Sequence, residues 1–320
     1  MNNNDLKFAF FGTPDVARNT LDILKVNGYM PSLIITSPDK PQGRKMILTP
    51  PSVKTWAIEN NILYLQPEKL NQKEVQNVLR TLGRSDGDGQ RKFSVENFRD
   101  EQNILDFFLV VAYGKILPEE LINMPKLGSV NIHYSLLPKY RGASPVESAI
   151  LNGDTETGVT IQKMAFKMDS GPILAQEKIE ILPAEKTEEL RDRMIKIGAK
   201  LLVKILQTPS ADGHSPLTGG EKQNEEEATL CKKIKKEDGL INLKDNGEKN
   251  YNKFRAYAHW PRTFFFVEGQ RVIITDAILE DDPSDKAQGK KFVIKKVLPE
   301  GKKEVNFDVW RKLFPNFIQE

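Results

Sequence analysis

Asn131 and His133 stand two residues apart in the segment NIHYSLLPKYRGASP (131–145). In a strand, side chains two positions apart share a face. An amide beside an imidazole suits acyl transfer. The amide N–H donates to an oxygen that turns negative in a tetrahedral intermediate. The imidazole moves protons or, when charged, stabilises that oxygen. The chain has three histidines, His133, His214 and His259. A nearby carboxylate would favour the charged imidazole, and Asp169, in KMDSGPIL, is the candidate. Sequence spacing does not place Asp169 beside His133; it records only an acid on a glycine-flanked turn. Taken alone, an Asn-x-His pair more often just ends a strand.

The elements that must hold this pair are legible in the apolar pattern. LKFAFFGT (6–13), PSLIITS (31–37), NILYLQP (61–67), FFLVVAYG (107–114) and SVNIHYSLLP (129–138) read as short buried strands. Helical patterns intervene at 14–25 and 53–60, which predicts a parallel sheet with crossover helices. In such a sheet, sites form at the carboxyl ends of the strands, where Asn131 and His133 would sit. GVTIQKMA (158–165) and ILAQEKIEI (173–181) read as later, antiparallel strands, and 187–207 as a helix with an apolar stripe. The stretch 82–93, LGRSDGDGQRKF, is predicted as an exposed loop or insertion.

At 320 residues the chain is long for one domain. The Gly-, Pro-, Ser- and Glu-rich stretch 208–228 reads as a linker between domain 1–207 and domain 229–320. The second domain carries TLCKKI, GLINL, FFFVEGQRVIITDAIL and KKFVIKKVL, with a helical patch near 251–257, and predicts a small β-barrel. A single cysteine, Cys231, excludes an intramolecular disulfide and a four-thiolate metal site. With no long apolar run and no secretory leader pattern, the expectation is a cytoplasmic protein without a membrane span. The net charge of +3 does not by itself demand nucleic acid. Lysines do cluster at 232–236, 290–296 and 302–303, either as a phosphate-attracting face or as solvated strand edges.

Over NIHYSLLPKYRG the chain resembles the folate-dependent formyltransferase family. The resemblance implies a Rossmann-like α/β formyltransferase domain followed by an OB-like β-barrel. It implies that Asn131, His133 and Asp169 are the catalytic trio. It places Ser135, Leu136, Leu137 and Pro138 in a folate loop, and Val111, Ala112, Tyr113 and Gly114 in a loop whose backbone holds the pterin. The implied donor is 10-formyltetrahydrofolate, with no metal and no covalent enzyme intermediate. Asp169 would orient His133 and help order a proton-shuttling water.

Within that family, FFGTPDVA and the loop TSPDKPQGRKMILTPPSVK (36–54) are similar to the branch that formylates methionyl-tRNA. Lys40, Arg44 and Lys45 would then contact the acceptor end of the initiator tRNA. KKIKKEDGLINL (232–243) and NKFRAYAHWP (252–261) are similar to that branch's second domain, which gives the lysine clusters a tRNA to meet. A monomer is expected. The 82–93 stretch has no counterpart there, and the barrel is trimmed near 281–291. Two alternatives share parts of this pattern. A sugar-nucleotide N-formyltransferase would keep the trio without both the 36–54 loop and this barrel. A non-catalytic RNA-binding relative would have no use for the trio.

Overall fold

The computed structural model describes residues 6–43, 45–70, 105–208, 215, 217–281 and 289–314. The 82–93 stretch and Arg44 lie outside the described residues. Contacts divide the chain into two compact units. One comprises 1–138, 159–177 and 194–228; the other comprises 139–158, 178–193 and 229–320.

The first unit is organised on a seven-stranded sheet. In chain order its strands are β1 (Phe8–Gly12), β2 (Leu33–Ile35), β5 (Tyr64–Leu65), β6 (Phe107–Val111), β7 (Ser129–His133), β9 (Glu156–Lys163) and β10 (Ile173–Glu180). A two-stranded hairpin, β3 (Lys40–Gln42) with β4 (Ile47–Thr49), interrupts the stretch read as one loop. A two-residue strand, β8 (Arg141–Gly142), follows β7 and belongs to the second unit. The spatial order is β10-β9-β7-β6-β1-β2-β5. β1, β2, β5, β6 and β7 run parallel, and β9 runs antiparallel to β7.

The parallel strands are apolar on both faces, as a sheet covered on both sides requires. Phe8, Phe10, Leu21 and Leu24 are buried, the leucines coming from the helix Asp15–Val26. Ala9, Phe11, Leu33, Ile35, Phe108 and Val110 form a core cluster with Tyr113, Leu117 and Leu121. Phe8 stacks on Phe107 with ring centroids 5.1 Å apart. Continuous apolar runs therefore marked these strands correctly, while their ends fell a few residues inside the apolar segments.

The helix Thr187–Gln207 crosses close behind β7. Gly198 permits this approach: a Cβ there would lie 2.9 Å from Ile132 Cγ2 and 3.0 Å from Val159 Cγ1. Ile132 faces the helix, so Asn131 and His133 face the other way.

In the second unit, β11 (Leu230–Cys231) pairs in parallel with β8. A four-stranded antiparallel sheet follows: β12 (Phe264–Val267), β13 (Gln270–Asp281), β14 (Lys290–Pro299) and β15 (Val305–Asn306). Helices Gly247–Ala256 and Phe307–Arg311 supply Phe254, Phe307 and Trp310 to a core shared with Phe265, Ile274, Phe292 and Val297. The small β-barrel expected of the second half is seen as this four-stranded antiparallel sheet packed with two helices. GLINL joins it through a single parallel bridge, Leu240 to Phe264, rather than as a full strand. Among the described residues, no helix is long and apolar enough to cross a membrane.

Candidate active site

β7 holds Asn131 at its middle and His133 at its carboxyl end, and the neighbouring strands fix Asn131. Asn131 Nδ2 donates to the Val110 carbonyl at 3.0 Å. Its Oδ1 accepts from Gln162 Nε2 at 3.3 Å, from the position directly opposite on β9. An amide held at both ends cannot flip, and the second of its two N–H groups makes neither of these bonds.

His133 is 6 % exposed, and its Nδ1 lies 3.6 Å from Asp169 Oδ2. A carboxylate on the Nδ1 side favours the charged form of the imidazole. Asp169 sits in the turn after β9 with φ +49°, a left-handed conformation that aspartate tolerates better than most residues. Its Oδ1 accepts from Gln162 Nε2 at 2.9 Å. The turn is pressed on its own strand: a Cβ at Gly171 would fall 1.8 Å from the Lys163 carbonyl oxygen, so only glycine fits. The three residues read as one site thus lie together.

The segment 135–138 is tied down by Thr160. Its hydroxyl donates to Ser135 O at 2.6 Å and accepts from Leu137 N at 3.1 Å and Gln176 Nε2 at 2.8 Å. Gln176 Nε2 also donates to Leu137 O at 2.8 Å. Ser135 and Leu137 are buried, while Leu136 and Pro138 keep partly exposed surfaces, so the last two are the ones available to a ligand.

The loop after β6 alternates in the same way. Val111 and Tyr113 are buried, and Ala112 and Gly114 are exposed with φ +46° and +78°. What this loop exposes, at Ala112 and Gly114, is main chain and one methyl group. Thr13, from the FGTP segment, donates to Tyr113 O at 3.1 Å. Burial pushes the Tyr113 phenol up to about 12, so it stays neutral.

Lys40 is exposed on β3, and Lys45 is exposed in the hairpin turn. The hairpin's base is anchored by Asp39. That carboxylate accepts from Gln66 Nε2 at 2.7 Å and from Lys54 Nζ at 2.7 and 2.9 Å. The Gln66 bond, then the Lys54 bond, hold its pKa below the ordinary value of 3.8. Lys115, which follows the 111–114 loop, donates to Pro67 O at 2.7 Å; burial, then the charge of Lys40, lowers its pKa.

Three buried residues escaped the sequence reading: Thr160, Gln162 and Gln223. Gln162 had a signal, being a polar residue in an apolar strand. Gln223 had none, because it lies in a stretch whose composition reads as linker.

A family model described as "Formyl transferase" matches residues 89–206, and one described as "Formyl transferase, C-terminal domain" matches 233–313. The chain is 39 % identical over 280 residues to a methionyl-tRNA formyltransferase of Chloroflexus aggregans, covering 87 % of this chain and 82 % of that protein. It is 35 % identical over 269 residues to the methionyl-tRNA formyltransferase of Bacillus subtilis, covering 84 % and 77 %. Two solved structures share the fold. One is a methionyl-tRNA formyltransferase from Clostridium thermocellum, with TM-score 0.57, 17 % identity, and coverage of 94 % of this chain and 99 % of that one. The other is WlaRD, a sugar 3N-formyl transferase determined with dTDP and 5-N-formyl-THF, with TM-score 0.62, 20 % identity, and coverage of 93 % and 99 %. At these identities the solved structures speak to fold alone, while the sequence relatives speak to family. The chain belongs to the methionyl-tRNA formyltransferase family.

Proposed function

We propose that the protein transfers the formyl group of 10-formyltetrahydrofolate to the free amino group of methionine esterified to initiator tRNA. The observation that carries this reading is the convergence of Asn131, His133 and Asp169 at the end of β7, in a chain of this family.

The donor supplies an activated formyl carbon. During transfer a bond forms from the methionyl nitrogen to that carbon, and the bond from the carbon to the folate nitrogen breaks. The attacking amine loses a proton and the leaving folate nitrogen gains one. Asn131, with its amide locked by Val110 and Gln162, donates its remaining N–H to the formyl oxygen as that oxygen gains charge. His133 stands beside it to stabilise the same oxygen or to move the proton. Asp169 orients the imidazole through its Nδ1 edge. The segments 135–138 and 111–114 hold the folate, chiefly through Leu136, Pro138 and the main chain at 112–114. The basic loop, with Lys40, Arg44 and Lys45, and the lysine clusters of 229–320 meet the tRNA. Such contacts position a nucleic acid without reading its sequence.

The test is kinetic. His133→Ala and Asp169→Asn are each expected to fold and to lose roughly 100-fold or more in turnover. Near-normal turnover in either purified variant overturns the role given to that residue.

A further inference from the structure

Gln223 is 4 % exposed and points into the back of the Asp169 turn. Its Nε2 donates to the carbonyl of Asp169 at 2.8 Å and to that of Gly171 at 2.7 Å. An amide nitrogen has two hydrogens, so this side chain closes the turn from Asp169 to Gly171 as a two-pronged clip. It also lies 3.5 Å from Gln162 Oε1. Gln162, 1 % exposed, turns its own two N–H groups to Asn131 Oδ1 at 3.3 Å and Asp169 Oδ1 at 2.9 Å. Gln223 thus clips the main chain of the turn, while Gln162 holds the Asp169 carboxylate and the Asn131 amide oxygen. The backbone it clips is strained, since Asp169 holds φ +49°.

We infer that Gln223 is a positioning residue for formyl transfer: it holds the Asp169 turn, and with it the Asp169 carboxylate, in place. This rests on the catalytic reading of Asp169 and Asn131 given above. Gln223 touches no substrate in this scheme. It acts on the step in which the oxygen gains charge, because misplacing a preorganised group by a fraction of an ångström costs rate rather than affinity.

Removing the clip should lower kcat and leave substrate affinity nearly unchanged. For Gln223→Leu the expectation is a roughly 10- to 50-fold fall in kcat, with the KM for the folate donor and for methionyl-tRNA each within about twofold of the parent. Gln223→Glu tests the donor directly. A carboxylate there would face two carbonyl oxygens and donate nothing, whereas its protonated form donates one bond. Its relative activity should therefore rise as pH falls, against the parent's profile. A residue that only fills space would produce no such trend.

The deciding experiment is a double-mutant cycle with Asp169→Asn, measured in single-turnover formyl transfer with labelled donor. If Gln223 acts through Asp169, adding Gln223→Leu to Asp169→Asn costs less than about threefold more. Full additivity of the two losses overturns the inference, as does a folded Gln223→Leu variant with parental kcat. Should Gln223→Leu fail to fold, Gln223→Met, close to glutamine in shape and without a donor, takes its place in the cycle. A kcat loss confined to the parent background then supports the inference, and additive loss or none overturns it. The underlying reading fails separately: an Asp169→Asn variant of parental kcat removes the catalytic role itself, whatever Gln223 does.

Discussion

Replacing Asn131 with alanine tests its proposed role as oxyanion donor. The amide nitrogen spends one hydrogen on Val110 O at 3.0 Å, and the amide oxygen is held by Gln162 at 3.3 Å. The second hydrogen is thus aimed before substrate arrives, so the reaction pays nothing to orient it. A preorganised donor of this kind contributes about 2.7–4 kcal/mol in the transition state. At 1.36 kcal/mol per tenfold, that is a fall of roughly 100- to 1000-fold in kcat. The fold loses less: about 1 kcal/mol for the hydrogen bond to Val110, plus a small cavity term at a partly buried position in the middle of β7. Activity should therefore collapse while the protein stays folded. Asn131→Asp sharpens the test. It keeps the shape, but sets a carboxylate against the Val110 carbonyl and offers no donor, so it should be as slow as the alanine variant. The assay is single-turnover transfer of labelled formyl at saturating substrates, with a denaturant midpoint for each variant. A folded Asn131→Ala protein within threefold of parental kcat refutes the argument and returns Asn131 to a purely structural place in β7.

Three other outcomes are expected. Arg44→Ala should raise KM for the tRNA substrate about tenfold and leave folate binding unchanged, as loss of one charge-assisted contact predicts; normal use of both substrates removes the loop from tRNA recognition. Gly198→Val should lower stability by about 1–3 kcal/mol, because overpacking against Ile132 and Val159 outweighs any gain in helix propensity; a denaturant midpoint that holds or rises contradicts the close crossing behind β7. Asp39 has a folded pKa below its unfolded one, so its bonds to Gln66 and Lys54 stabilise the hairpin base at pH above the unfolded value and are lost as pH falls through the folded value. A carboxyl titration of Asp39 at or above 3.8 would contradict that arrangement.

Much of the frame could be read from residue pattern, because burial on both faces leaves an unmistakable mark. FFLVVAYG and FAFFG are continuous apolar runs, and they form the central strands β6 and β1. Asn131 and His133 were legible as a pair because strand periodicity puts them on one face. Asp169 was not, since it reaches His133 across a strand pair and a left-handed turn that no local rule specifies. The hairpin β3–β4 was hidden because its residues are exposed and leave no apolar alternation. Gln223 was hidden more deeply: a buried amide in a Gly- and Glu-rich stretch looks like any solvated glutamine until its carbonyl partners are located.

The central claim is that this trio formylates the amino group of methionyl-tRNA. It is tested most directly by giving the purified protein formyl-labelled 10-formyltetrahydrofolate with methionyl initiator tRNA and an amino-sugar nucleotide in one reaction, then locating the label. The account predicts label on methionine released from the tRNA and none on the sugar. Label on the sugar nucleotide with none on methionine, or on neither acceptor, would contradict it.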